Sequence, residues 1–163
     1  MDGVRLAWER VADLADRRAT SRALLARLLP GARFSSVCAA CGGDHGPVRV
    51  AGSPSVAAVA YAGGWAIVAV ADGAAAVGVD AEVATVTVHL DRVLAPGAAV
   101  RDWVRIEAAL KADGRGLRID PAAVEIDETD DGWLAAVPGR RAPLRGADAA
   151  GPPGLIVAVA ARG

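Results

Sequence analysis

The sequence predicts an α+β fold. A helical apolar period opens the chain, consecutive apolar runs split by Gly-rich turns follow, and an amphipathic helix then leads into further short apolar runs. From Val4 to Leu29, Leu6, Val11, Leu14, Ala15, Leu24, Leu25, Leu28 and Leu29 recur near helical spacing, and Pro30-Gly31 ends that helix. Thr20-Ser21 is a possible break within it. A Cys- and Gly-rich loop leads to a short strand near Val48–Val50. Ser55–Ala62 and Trp65–Ala71 read as strands joined across Gly63-Gly64, and Asp72-Gly73 turns the chain into a third strand, Ala76–Glu82. His89–Leu94 predicts a short helix closed by Pro96-Gly97, and Arg101–Ala112 a longer one ended by Asp113-Gly114. Val124–Ile126, Trp133–Val137 and Leu155–Ala160 complete the strands. The run Asp127, Glu128, Asp130, Asp131 before Gly132 reads as a solvated turn, and Trp8, Trp65, Trp103 and Trp133 as core anchors.

At 163 residues the chain suits one domain, residues 1–163, or two small lobes sharing a core. Its 18 basic and 19 acidic residues are interspersed, so no basic face points to nucleic acid. Arg5, Glu9, Arg10, Asp13 and Asp16 are incompatible with a secretory leader. The most apolar stretch, Val56–Ala71, falls short of the ~20 residues that cross a bilayer and is interrupted by Gly63-Gly64. A cytoplasmic protein without membrane or nucleic-acid partners is the expectation.

Cys38 and Cys41 are followed by His45. This spacing suits half of a zinc site, but structural zinc usually takes four protein ligands. Beyond these three residues the sequence offers no further cysteine and only His89 as histidine. A plain Gly-rich turn is therefore expected, ahead of a metal site or a redox dithiol.

Asp80 and Glu82 lie two apart at the end of an apolar strand, so both side chains share one face. Glu107 and Lys111 lie four apart on a helix and share a face there, with Trp103 one turn earlier. Taken separately, the strand pair is an ordinary solvated edge and the helix pair an ordinary surface ion pair. Converging, the three carboxylates make a hard oxygen site suited to Mg²⁺. Lys111 is the only lysine among the basic residues, the other seventeen being arginine. A lysine can release a proton where arginine hardly can.

Together the two pairs match something more specific. Gly78-Val79-Asp80-Ala81-Glu82 and the block from Trp103 through Glu107, Lys111, Gly114 and Gly116 to Leu117 resemble, in order, the two signature motifs of 4′-phosphopantetheinyl transferases, G-[IV]-D-x-E and W-x-x-K-E-A-x-x-K-x-x-G-x-G-L. The segment Cys38-Ala39-Ala40-Cys41-Gly42-Gly43-Asp44-His45-Gly46 and the arginines Arg17, Arg18 and Arg22 resemble the surfactin-type branch of that family.

The resemblance implies the family's fold, two similar α+β lobes in pseudo-twofold arrangement, here approximately 1–82 and 83–163. It implies transfer of the phosphopantetheine arm of coenzyme A to a serine of an acyl or peptidyl carrier protein in secondary metabolism, releasing 3′,5′-ADP. Asp80, Glu82 and Glu107 would ligate Mg²⁺. Glu107 would also take the serine proton, and Lys111 would stabilise or protonate the leaving phosphate. Coenzyme A would be held by Arg17, Arg18, Arg22 and Tyr61, with Arg105 as a further compensating cation.

The chain departs from the family at the coenzyme A end. The strand before Gly63-Gly64-Trp65 reads Ala60-Tyr61-Ala62 where the family has S-H-S, Pro47-Val48 replaces Lys-Pro, and Ile106 replaces the lysine before the catalytic glutamate. Only twenty residues separate Glu82 from Trp103, a shortened carrier-docking region. Two other functions follow from these departures: a repurposed enzyme acting on a different, carrier-tethered substrate, and a non-catalytic binding partner.

Overall fold

A computed structural model describes residues 3–39, 41–85, 93–94 and 97–163. These form ten strands in three sheets and two α-helices, a mixed α+β architecture. The short helix expected at His89–Leu94 lies largely outside the described residues.

The chain opens as a strand. β1 (Val4–Arg10) pairs antiparallel along its whole length with β5 (Trp65–Ala71), Val4 opposite Ala71 and Arg10 opposite Trp65. The helix expected from Val4 begins instead at Arg17. Val4, Leu6 and Trp8 satisfy a period of two while Val4, Ala7, Trp8 and Val11 satisfy a helical one, and the strand completes the backbone hydrogen bonds along one side of β5. After a 3₁₀ turn at Leu14–Asp16, capped by Asp13 accepting from the Ala15 N–H at 2.9 Å, α1 runs Arg17–Leu28. It buries Leu24 and Leu25 against Ala66, Val68 and Val70 of β5. β2 (Arg33–Val37) and β3 (Asp44–Ala51) form a separate two-stranded hairpin, bulged between Ser35 and Val37. β4 (Val56–Ala62) then pairs with β5 to give the order β1-β5-β4.

The other face of β5 explains its unbroken apolar run. Ile67, Ala69 and Ala71 pack with Ala58 and Ala60 of β4 and with Val77, Val79 and Ala81 of β6 (Ala76–Val83). β6 belongs to the second sheet, whose order is β6-β10-β9-β8-β7, with β7 Glu125–Thr129, β8 Gly132–Ala136, β9 Leu144–Ala149 and β10 Leu155–Arg162. α2 (Val100–Asp113) packs Val104, Ala108 and Leu110 with Trp133, Ala158 and Ala160 of that sheet. It ends at Gly114, whose φ of 88° is the left-handed conformation that favours glycine. Trp133 is fully buried, whereas Trp8 is 38% exposed and anchors no core. Asp130 and Asp131 do form a turn, but Asp127 and Glu128 belong to β7.

The same order of elements recurs in two halves, whose sheets divide at the Asp72–Ala75 turn and not near residue 82 as expected, because β6 pairs with β10. Each opens with a strand, continues into a helix, and ends with a strand inserted antiparallel between the first strand and the penultimate one: β1-β5-β4, then β6-β10-β9. β4 and β6, each an edge strand of its own sheet, pack together where the halves meet. No described helix is long and apolar enough to cross a membrane.

Candidate active site

Alternation along β6 sorts its residues cleanly. Val77, Val79 and Ala81 enter the core shared with the first sheet, leaving Gly78, Asp80 and Glu82 on the face toward α2. Gly78 sets how closely the helix seats: a Cβ there would lie 2.0 Å from the Ala108 carbonyl oxygen and 2.7 Å from the Ala112 nitrogen. Only glycine admits the helix backbone at that distance. One consequence is that Lys111, on the adjoining helix face, reaches over β6. Its Nζ donates to Asp80 Oδ1 at 2.6 Å and to the Val79 carbonyl at 3.1 Å.

Three carboxylates share this lysine. Burial raises the Asp80 carboxyl above its ordinary pKa, opposed by Lys111. Burial and then the Asp80 charge raise Glu82. Burial, Asp80 and Glu82 raise Glu107, again opposed by Lys111. Asp80 Oδ2 is buried with no hydrogen-bond partner among the described residues. A partly buried centre with more negative than positive charge, and an orphaned carboxylate oxygen within it, fits a hard cation. The donor oxygens are not drawn tightly together. Among the described residues, the only group of three metal-ligating side chains with all donors within 4.8 Å of one another is Cys38, Cys41 and His45.

A cavity of about 410 Å³ lies between α1 and α2 and meets this centre at Lys111, the three carboxylates themselves lying outside its lining. Lys111 forms part of its wall, with Arg17, Arg18 and Arg22 from α1, His45 from β3 and Tyr61 from β4. The Arg17 guanidinium lies over the Tyr61 ring, 5.3 Å from its centroid. Tyr61 also shares a 2.7 Å hydrogen bond with Ser21, and Arg22 donates to the Ser36 hydroxyl. Arg18 and Arg22 stand 3.8 and 3.9 Å from Asp44, too far for direct hydrogen bonds. Arg22 Nη1 is buried without a partner among the described residues. Three guanidiniums, one of them incompletely satisfied, share the cavity wall with Lys111 and with the single carboxylate of Asp44, a net positive lining suited to a polyanion.

Arg105 does not join them. Its guanidinium is buried, with Nε and Nη2 on Asp148 at 2.7 and 2.8 Å and Nη1 on Glu128 at 2.5 Å. Those hydrogen bonds, Asp148 first, push its pKa still higher. It clamps α2 to β7 and β9 and forms no part of the cavity wall, so the structure does not bring it to the place where its compensating role in ligand binding was expected. Ser21 and Ser36, by contrast, reach the cavity although no motif marked them for binding, and His45, singled out only with the cysteines, lines it as well. The two serines hold Tyr61 and Arg22, contacts made in space that leave no trace in local sequence.

Neither a protein-family model nor a curated protein matches the chain.

Proposed function

We propose that the protein transfers the 4′-phosphopantetheine arm of coenzyme A to a serine hydroxyl of an acyl or peptidyl carrier protein, with Mg²⁺ as the metal. The observation that carries this reading is that Lys111 belongs to two sites at once, the wall of the arginine-lined cavity and the carboxylate centre. A polyanion lying along Arg17, Arg18 and Arg22 would thereby reach a proton donor and a metal-ligating cluster at one end. The recurring element order of the two halves agrees with the paired-lobe fold that the motifs imply.

Asp80, Glu82 and Glu107 would hold Mg²⁺, which supplies neutralising charge to the pyrophosphate oxygens. Lys111 already occupies Asp80 Oδ1, leaving Oδ2 for the ion. Glu107, its carboxyl raised by burial, is suited to accept the serine proton as the serine oxygen attacks the phosphorus bearing the pantetheine arm. The bond from that phosphorus to the bridging oxygen breaks, and the electron pair leaves on 3′,5′-ADP. Lys111 stabilises that charge or protonates it. Positioning along the cavity contributes the remainder.

A second reading, an enzyme that keeps this centre but acts on another substrate already tethered to a carrier, is favoured by Ala60, Ala62, Pro47 and Ile106 standing where the family's phosphate-holding residues are expected. Incubation with coenzyme A, Mg²⁺ and a panel of apo carrier proteins, read by mass spectrometry, tests the first. Wild type should add the phosphopantetheine mass, and Asp80→Ala should not while remaining folded. No mass gain on any carrier, together with no calorimetric binding of coenzyme A, would reject the proposal.

A further inference from the structure

A second cluster of ligating side chains lies at the tip of the β2–β3 hairpin. The donor atoms of Cys38, Cys41 and His45 all lie within 4.8 Å of one another, and Cys41 Sγ stands 2.9 Å from His45 Nε2. In a tetrahedral zinc site with Zn–S near 2.3 Å and Zn–N near 2.0–2.1 Å, donors sit roughly 3.5–3.8 Å apart. The Cys41–His45 contact is shorter than that and would open by about 0.6 Å on taking up the ion, while every donor pair already lies within 4.8 Å. No disulfide joins the two cysteines.

The backbone holds the cluster in this form. The Gly42 N–H donates to the Cys38 carbonyl at 2.8 Å, and the Gly43 carbonyl accepts from Cys38 at 2.8 Å and from His45 at 3.0 Å. Gly42 takes a φ of 73°, which lets the chain turn back after the second cysteine. At Gly46 a Cβ would meet the Val37 carbonyl oxygen at 2.6 Å, so the strands close tightly behind the cluster. A hairpin of two strands is marginal by itself, and here the three donors converge at its tip, beyond the Val37–Asp44 pair.

We propose that Cys38, Cys41 and His45 bind one Zn²⁺, with water in the fourth position, as a staple for the β2–β3 hairpin. Two thiolates and an imidazole favour zinc over the hard ions that suit carboxylates, so this site is chemically separate from the one at Asp80. Its consequence reaches the cavity because His45 lines it and Asp44, the next residue back, faces Arg18 and Arg22. The proposal stands whether or not the chain is a transferase.

The test uses the full chain, stripped by chelator and reloaded with metal alone. Elemental analysis should find about one equivalent of zinc per chain. Cobalt loading should give the intense visible bands of a tetrahedral ion and a near-ultraviolet sulfur-to-cobalt charge-transfer band. The Cys38→Ser/Cys41→Ser double variant should lose both signals. His45→Cys should keep the metal while increasing the charge-transfer intensity, and Asp80→Ala should leave the zinc content unchanged. Absence of the charge-transfer band in wild type, or rapid alkylation of Cys41 in zinc-saturated protein, would overturn the proposal in favour of a bare thiol–imidazole pair.

Discussion

Lys111 Nζ lies 2.6 Å from Asp80 Oδ1, and the same ammonium also caps the Val79 carbonyl. The contact spans from helix to strand and fixes the distance between the two motifs that carry the carboxylates. It also leaves the second Asp80 oxygen orphaned, so the pair is half of a larger charge arrangement. Removing the cation therefore isolates a buried carboxylate. Lys111→Met should destabilise the chain by about 1–3 kcal/mol at neutral pH, with the Lys111 side chain's 35% exposure favouring the lower part of that range. Millimolar Mg²⁺ should recover part of the loss. Urea denaturation with and without the ion measures both effects.

The pH response of Glu107 has a definite sign. Burial, then the Asp80 and Glu82 charges, hold its folded pKa above the ordinary carboxylate value. The folded chain therefore binds this proton more readily than the unfolded chain. Its stabilising contribution is complete below the ordinary carboxylate pKa and is lost as pH rises through the folded one. Glu107→Gln removes that dependence. Without divalent metal, the variant should match wild type near pH 4 and melt at a higher temperature than wild type at pH 8. Added Mg²⁺ should reverse the order by stabilising wild type alone. Thermal melts across this pH range suffice.

Gly78→Ala asks the helix to move. The new methyl would meet the backbone of Ala108 and Ala112, which cannot yield as a flexible side chain would. A loss of about 3 kcal/mol, the upper end for overpacking, is expected, with weakened Mg²⁺ binding because Lys111 and Glu107 travel with α2. A loss under about 1 kcal/mol in urea denaturation would mean that the helix is not seated on Gly78.

Two kinds of arginine should separate by calorimetry. Arg22→Ala or Arg17→Ala should weaken coenzyme A binding by about 10- to 100-fold, the range for losing one charge-assisted contact. Arg105→Ala should leave that affinity unchanged while lowering stability, because Asp148 and Glu128 lose their shared partner.

Much of this was legible where local pattern and tertiary demand agree. The runs at Trp65–Ala71 and Ala76–Glu82 are strands, and Arg101–Ala112 is a helix closed by Gly114, because burial on both faces or on one stripe dictates those patterns. Val4–Arg10 was misleading since its apolar residues fit two periods and only pairing with β5 decides between them. β9 was hidden because Leu144–Ala149 contains Arg145, Gly146 and Asp148. Gly146 is there to admit the Trp133 ring, which a Cβ would meet at 2.1 Å. At the site, the spacing of Asp80 with Glu82 and of Glu107 with Lys111 was enough to place each pair on a face. The support of Tyr61 by Ser21 depends on residues forty positions apart, and Arg105 looked available only because Asp148 lies far along the chain.

The two halves, alike in element order, divide the work unequally. The first half supplies the arginines, Tyr61 and His45 that would grip a ligand, and the second supplies Asp80 at the end of its opening strand's buried run together with Glu82, Glu107 and Lys111. On the proposed function, the groups that would grip the ligand and those that would react lie mostly on separate stretches of chain, joined by the short Asp72–Ala75 turn, with Lys111 common to both. Substitutions before that turn can retune what is held, and those after it what is done. A lineage could exchange one ligand for another by drift in its first half while selection kept the second half still.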